Sequence, residues 1–139
     1  MLRIELARWD QAKSEARRIR FAVFVEEQGV PPELEMDDMD SQSLHALAFN
    51  GNEPVGTGRL LPDGHIGRMA VLKPWRGRGV GAALLRRLVQ AARERGDREV
   101  LLSAQVHALD FYRAHGFSPV GEVYEEAGIP HQAMRLSLG

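Results

Sequence analysis

Arg76-Gly77-Arg78-Gly79-Val80-Gly81 stands between an apolar run, Ile66 to Leu72, and a helix-patterned stretch, Ala82 to Arg95. A loop that feeds straight into a helix presents unpaired backbone N–H groups and the positive end of the helix dipole, an arrangement suited to an anion. The glycines let that anion reach the backbone, and Arg76 and Arg78 add charge. A phosphate cradle built from Arg76, Gly77, Arg78, Gly79, Val80 and Gly81 is therefore expected. Each helix-end charge interaction contributes about 0.3–1 kcal/mol, so several amides and an arginine together suit a multiply charged group.

Phosphoryl transfer is unsupported, because a P-loop needs G-x-x-x-x-G-K-[ST] and no Lys-Ser or Lys-Thr follows these glycines. Gly77, Gly79 and Ala82 formally satisfy G-x-G-x-x-A. A nicotinamide domain, however, needs several further βα units and an acidic residue about 20 positions on at a strand end. Only 58 residues follow Gly81, and Glu99 opens the next strand pattern rather than ending it. What remains is R-x-x-G-x-G, formed by Arg76, Gly79 and Gly81. A second segment, Gln105 to Phe117, places Ala108, Phe111, Tyr112 and His115 on one helical face and ends in Gly116-Phe117, with Gly116 placed to stop the helix in the left-handed conformation.

These two segments, in this order and separated by one strand pattern, resemble the two signatures of the GCN5-related N-acetyltransferase (GNAT) superfamily. There a [QR]-x-x-G-x-[GA] loop binds the pyrophosphate of an acyl-coenzyme A, and a short helix carries a tyrosine and ends in Gly-Phe. The resemblance covers almost the whole chain. Phe24 to Gln28, the acidic stretch Glu35 to Asp40, His45, Ala104 to His107 and Gly121 to His131 are similar to the ElaA-like branch of these acyltransferases. Gln105 stands where many members have Asn, at a contact to the cofactor arm. Arg20, Phe24, Asp37 and Asp40 are also similar to acyl-homoserine lactone synthases, which share the fold but lack so clear a glycine loop.

The resemblance implies one α/β domain over residues 1–139, a mixed, mostly antiparallel sheet with helices on both faces. It implies acetyl-CoA as co-substrate, its amide-like arm pairing with the strand edge at Met69, Ala70 and Val71. The acceptor would be a primary amine on a small molecule or a protein, attacking directly. Glu27, ending the first helix, and His131, on the late hairpin, flank the expected acceptor groove, and either would take the amine's proton. Tyr112 would lie beside the departing sulfur. A phenol of pKa ~10 keeps its proton against a thiolate of pKa ~8.5, so its expected part is a hydrogen bond that strengthens as sulfur gains charge. A Ser103 ester has no adjacent base. Two alternatives stand beside this enzyme: a non-catalytic acyl-CoA-binding or sensor module, and an acyl-homoserine-lactone-synthase-like acyltransferase.

The elements that must position these groups read as follows. Arg3 to Leu6 is a short edge strand, and Gln11 to Glu27 a helix with Ala12, Ala16, Ile19, Val23 and Glu27 along one side, a face widened by Arg20, Phe21 and Phe24, ended by Gly29-Val30-Pro31-Pro32. Leu44 to Asn50 and Pro54 to Leu61 form a hairpin over Gly51-Asn52, and His65 to Leu72 is its third strand. Val80, Leu84, Leu88 and Ala92 give the glycine-loop helix an apolar stripe. Glu99 to Gln105 reads as a buried strand, and Ser118 to Glu125 with His131 to Leu138 as a last antiparallel pair. The acids Asp37, Asp38 and Asp40 fail the EF-hand test, since Ser43 and Phe49 stand where Gly and Glu are required. They read either as a solvated loop or as negative charge that favours a cationic amine.

Composition narrows the partners. The chain has 139 residues, 44% hydrophobic and 27% charged, with net charge −1, so no basic excess marks a nucleic-acid binder. The absence of cysteine excludes disulfides and thiolate metal sites. His45, His65, His107 and His115 lack zinc-site spacing, and no metal is expected. Met-Leu-Arg-Ile-Glu opens the sequence without a long apolar region, so neither a signal peptide nor a membrane span is expected, and a cytoplasmic address is the default. A homodimer is left open.

Overall fold

A computed structural model describes residues 1–139. Strand β1 (Leu2–Arg8) leads into α1 (Trp9–Arg20), which continues without a break as a π-helix over Phe21–Glu27. A short α2 (Pro32–Glu35) precedes the meander β2 (Leu44–Asn50), β3 (Glu53–Leu60) and β4 (Ile66–Val71). Then come α3 (Val80–Arg95), β5 (Glu99–Gln105), α4 (Leu109–Ala114), and the hairpin β6 (Ser118–Glu126) and β7 (Ile129–Ser137). The first strand and helix boundaries differ from the expected ones: the strand runs two residues further, and Trp9 rather than Gln11 starts the helix. Trp9 is buried with Ala12, Ala16 and Leu47, and this contact draws the helix start back toward the sheet.

The strands form two antiparallel sheets, ordered β1-β2-β3-β4 and β5-β7-β6. A single parallel bridge, His65 to Leu101, joins them. From that hinge β4 and β5 diverge, so the outer edge of β4 has no partner strand along Gly67 to Val71. Helices cover both faces of the first sheet. Leu84, Leu85, Leu88 and Ala92 of α3 bury against Ala46, Ala48, Val55 and Leu60 on one side, while Ile19 and Val23 meet Ala70 on the other. Burying each leucine fully contributes about 1.5–3 kcal/mol over leaving it exposed.

Close approach of α3 depends on two glycines of β3. A Cβ on Gly56 would lie 2.9 Å from Val80 Cγ1 and 3.0 Å from Leu84 Cδ1. One on Gly58 would lie 2.5 Å from Met69 Sδ. Opposite Gly58 stands a β-bulge. Arg59 pairs with Gly67 and Thr57 with Ala70, so the two residues Arg68 and Met69 face the single Gly58. Bulges bend a strand and re-aim its side chains. Here Met69 joins the core under α3, and Arg68, at φ 51°, reaches the opposite face to meet Glu35 and Asp37.

Candidate active site

The glycine loop has the geometry its sequence suggests. Gly77 and Gly79 take φ of 75° and 83°, a region that favours glycine. Gly79 is the N-cap of α3 and supplies no side-chain cap. No N–H from Gly77 to Ala82 finds a backbone carbonyl; the first bond of the helix is Ala83 N–H to Gly79 O. A row of unpaired donors at the positive end of a sixteen-residue helix fits a phosphate or pyrophosphate. The residues present therefore suit an acyl-CoA at this end.

Arg76 does not point into that row. Its Nε donates to Val71 O at 2.9 Å, and its two terminal nitrogens donate to the Glu27 carboxylate at 2.7 and 2.9 Å. The hydrogen bonds from Arg76, with its charge, hold Glu27 below the usual carboxylate range. Arg78 stacks on Trp75, 4.8 Å from the ring centre. Thus two expected site residues, one for the cofactor and one for the proton, occupy each other.

A cavity of about 890 Å³ follows the divergence of β4 from β5, within the size range of ligand sites. Arg76, Gly81, Phe111 and Tyr112 line its cofactor end; Phe24, Arg68, Ile129 and His131 line the far side. Met69, Ala70 and Val71 lie between, with their unpaired backbone edge along the gap. An extended amide-bearing arm can add to such an edge. Tyr112 packs edge-on against Phe111 and Phe117, with ring centres 5.0 and 6.0 Å away. Burial pushes its phenol up to about 12, so it holds its proton throughout the physiological range. Gly116, at φ 92°, ends the tyrosine helix as expected.

Alternation along β5 sends Val100, Leu102 and Ala104 into the core and leaves Ser103 and Gln105 on the opposite, less buried face. Gln105 exchanges two amide hydrogen bonds with Gln28, at 3.0 and 3.3 Å, and accepts one from His107 Nε2 at 2.8 Å. This amide pair ties the end of the π-helix to β5 across the gap. Ser103 pairs with the Tyr124 hydroxyl, and no imidazole contacts it. Tyr124 lies directly opposite His131 in the β6–β7 ladder and stacks on its ring. His131 combines a turn contact with the geometry of a base. Its Nδ1–H donates to Ile129 O at 2.7 Å, which leaves the Nε2 lone pair free, 3.8 Å from the Glu126 carboxylate.

Within the acidic stretch Glu35, Asp37 and Asp40 are held by arginines, while Asp38 is exposed and has no ion-pair partner, as in a solvated loop. Arg20, on the buried side of α1, binds Glu35 and donates to Asp40 at 2.8 and 3.1 Å. Arg59 of β3 donates to Asp37 at 2.7 and 2.8 Å and to Asp40 at 2.9 Å. Asp37 is pulled down to about 2, first by the Arg59 hydrogen bonds. Burial opposes the charge on Asp40, yet Arg20 and Arg59 hold it below the usual range. His45 lies beneath, fully buried; burial lowers it, and its Nε2–H donates to Asp40 O. The sequence places Arg20 on the apolar helix face; the signal missed for this network is Arg59 inside an otherwise uncharged strand segment, Pro54 to Leu60. The bulge that places Arg68, and the Ser103–Tyr124 and Gln28–Gln105 pairs, left no trace in spacing.

Comparison with known proteins agrees with the site. The profile of the acetyltransferase (GNAT) domain matches residues 10–138. The Bacillus subtilis protein YjcF, an uncharacterized N-acetyltransferase, is 38% identical over 133 residues, covering 93% of this chain and 95% of that protein. The crystal structure of Escherichia coli ElaA superposes with a TM-score of 0.87 at 32% identity, over 99% of this chain and 100% of that one. An acyl-CoA N-acyltransferase from Pseudomonas aeruginosa gives 0.88 at 33% identity, over 99% and 100%. The mixed α/β architecture is that of the acyl-CoA N-acyltransferases, the acyl donor is a CoA derivative and the acceptor an amine. A half-buried tyrosine beside an open strand edge, a row of unpaired N–H groups at a helix start and relatives of this kind lead to one conclusion: the chain is an acyltransferase of the GNAT family, similar to ElaA and YjcF.

Proposed function

We propose that the protein moves an acetyl group from acetyl-CoA to a primary amine by direct attack, with Tyr112 assisting the leaving thiolate and His131 receiving the amine's proton. The observation that carries this reading is the shared cavity: Arg76, beside the row of unpaired N–H groups, and Gly81, within that row, line it together with Tyr112 and His131. Acetyl-CoA, when bound, supplies the thioester. The N–H groups from Gly77 to Ala82 hold its phosphates, and the edge of Met69, Ala70 and Val71 orients its arm, with Gln105 at the opposite wall.

An amine of pKa ~10.4 is mostly ammonium at neutral pH, so a base must act before or during attack. Glu27 is a poor base while Arg76 holds it below the usual carboxylate range. His131 keeps a free Nε2 lone pair inside the cavity, with its other nitrogen fixed on Ile129 O, and this tautomer suits proton uptake. Tyr112, protonated up to about pH 12, donates to the sulfur as negative charge develops and does not act as a base. The test is release of free CoA from acetyl-CoA across a panel of amines, with acetylated product identified by mass spectrometry. Acetylation of one amine class supports the reading; tight acetyl-CoA binding with no acceptor in a broad panel would favour the binding module.

A further inference from the structure

The cavity presents Arg68, the least tightly paired of a cluster of arginines, on its acceptor side; Arg59 also lines it, but its one unpaired nitrogen, Nε, is buried away from solvent. The cluster beside it is formally neutral, three arginines (Arg20, Arg59, Arg68) against three carboxylates (Glu35, Asp37, Asp40). Its pairing is uneven. Arg20 and Arg59 take the carboxylates at short range, and their side chains are only 2% and 6% exposed. Arg68 is held less closely: the Glu35 carbonyl at 3.2 Å, Asp37 Oδ2, which Arg59 also takes, at 3.3 Å and the Glu35 carboxylate at 3.9 Å. None of these reaches its Nη1. The side chain is 25% exposed and lines the cavity.

Two further features single out this arginine. It holds a left-handed φ of 51° at the bulge, a conformation uncommon for a residue with a Cβ and one found more often at functional positions. Burial, and after it the neighbouring Arg59 charge, push its guanidinium below its ordinary range, so an added anion would be welcome there. Around it the acceptor side is mainly apolar, with Phe24, Val30, Leu34 and Ile129. The other charged side chains lining the cavity are Arg59, held by Asp37 and Asp40, Arg76, held by Glu27, Glu35, held by Arg20, and Glu126, an exposed carboxylate 3.8 Å from His131.

Resting on the acyltransferase reading, we infer that the acceptor is an amine bearing a carboxylate, an amino-acid-like molecule, whose carboxylate is bound by Arg68. The acceptor's nitrogen then faces the thioester and the His131 side of the cavity. This reverses the preference for a cationic acceptor that the acidic stretch suggests from sequence, because Asp37 and Asp40 are held by arginines, none of Asp37, Asp38 and Asp40 lines the cavity, and Arg68 does.

The experiment compares wild type with Arg68→Gln and Arg68→Lys, each first checked for wild-type thermal melting and for unchanged acetyl-CoA affinity by calorimetry. Ligand-observed NMR reads binding of N-acetyl-L-leucine, N-acetyl-L-phenylalanine and N-acetyl-L-glutamate against the matching amides, without turnover. Acetyl transfer is measured on L-leucine against isoamylamine and on L-phenylalanine against phenethylamine. The expected result is a preference for the carboxylate member of about 10–100-fold, the size of a hydrogen bond to a charged group. Arg68→Gln should abolish it through a raised KM, and Arg68→Lys should restore part. Equal binding of acid and amide, no binding of any acid, or a preference that survives Arg68→Gln overturns the inference. Loss of acetyl-CoA binding by wild type would instead overturn the acyltransferase reading beneath it.

Discussion

Glu27 and Arg76, 49 positions apart, are joined by two parallel hydrogen bonds of 2.7 and 2.9 Å across the mouth of the cofactor end. The pair is partly exposed, at 34% and 42%, and such pairs contribute about 0.2–1 kcal/mol. Arg76 must leave Glu27 before it can reach a bound phosphate. Glu27→Gln should therefore tighten acetyl-CoA binding by up to about fivefold, the equivalent of that energy, with kcat nearly unchanged. Calorimetry and steady-state rates check both. Abolished turnover with intact binding would make Glu27 the base instead.

His131 and Tyr112 should separate by pH. His131→Gln removes the proton acceptor, so its rate should recover about tenfold per pH unit from 7 to 9 as the free amine, of pKa ~10.4, accumulates. Tyr112→Phe should lower kcat by ~10²–10⁴-fold at every pH in this range, with acetyl-CoA affinity intact. Because burial holds the Tyr112 phenol up to about 12, no alkaline loss of activity below pH 10 should trace to its ionisation. A pH–rate profile for the three proteins checks this, and unchanged steady-state transfer by Tyr112→Phe would contradict the mechanism.

The glycine loop and the tyrosine helix were legible in sequence because backbone conformation there is written in residue type: Gly77, Gly79 and Gly116 all take positive φ. The apolar stripe of α3 was legible from periodicity, as Leu84, Leu88 and Ala92 are buried at helical spacing. The acidic stretch was misread because its meaning lies in partners 15 to 22 positions away, Arg20 and Arg59. Alternation within β4 gives no hint of the bulge, since Met69 and Ala70 are both apolar and only the register against β3 shows which faces the core under α3. Helical periodicity could not distinguish the π-helix at Phe21–Glu27 from a continued α-helix. That segment carries Phe24 and Glu27, so the distinction bears directly on the site.

The buried ion network should govern acid stability. Asp37 titrates at about 2 in the folded protein against an ordinary 3.8, and Asp40 is also depressed. Groups depressed in this way stabilise the fold above the ordinary value, and that contribution is lost as pH falls from about 4 toward 2. Urea unfolding should show this loss. Asp40→Ala should destabilise by about 3–5 kcal/mol at pH 7, because it leaves Arg20 and Arg59 short of their shared partner. A wild-type midpoint for Asp40→Ala would contradict the energetic role assigned to the network.

Calorimetric titration with acetyl-CoA, using NAD as the control ligand, on wild type and Gly79→Ala tests the central claim most directly. Gly79 sits at φ 83°, and a Cβ added there would meet no atom within 4 Å, so alanine strains the loop by about 1–2 kcal/mol without a steric clash. The expected result is one acetyl-CoA bound per wild-type chain, no NAD binding, and affinity about tenfold weaker in the variant as the N–H row moves out of line. No acetyl-CoA binding by wild type, or equal affinity in a folded Gly79→Ala protein, would contradict it.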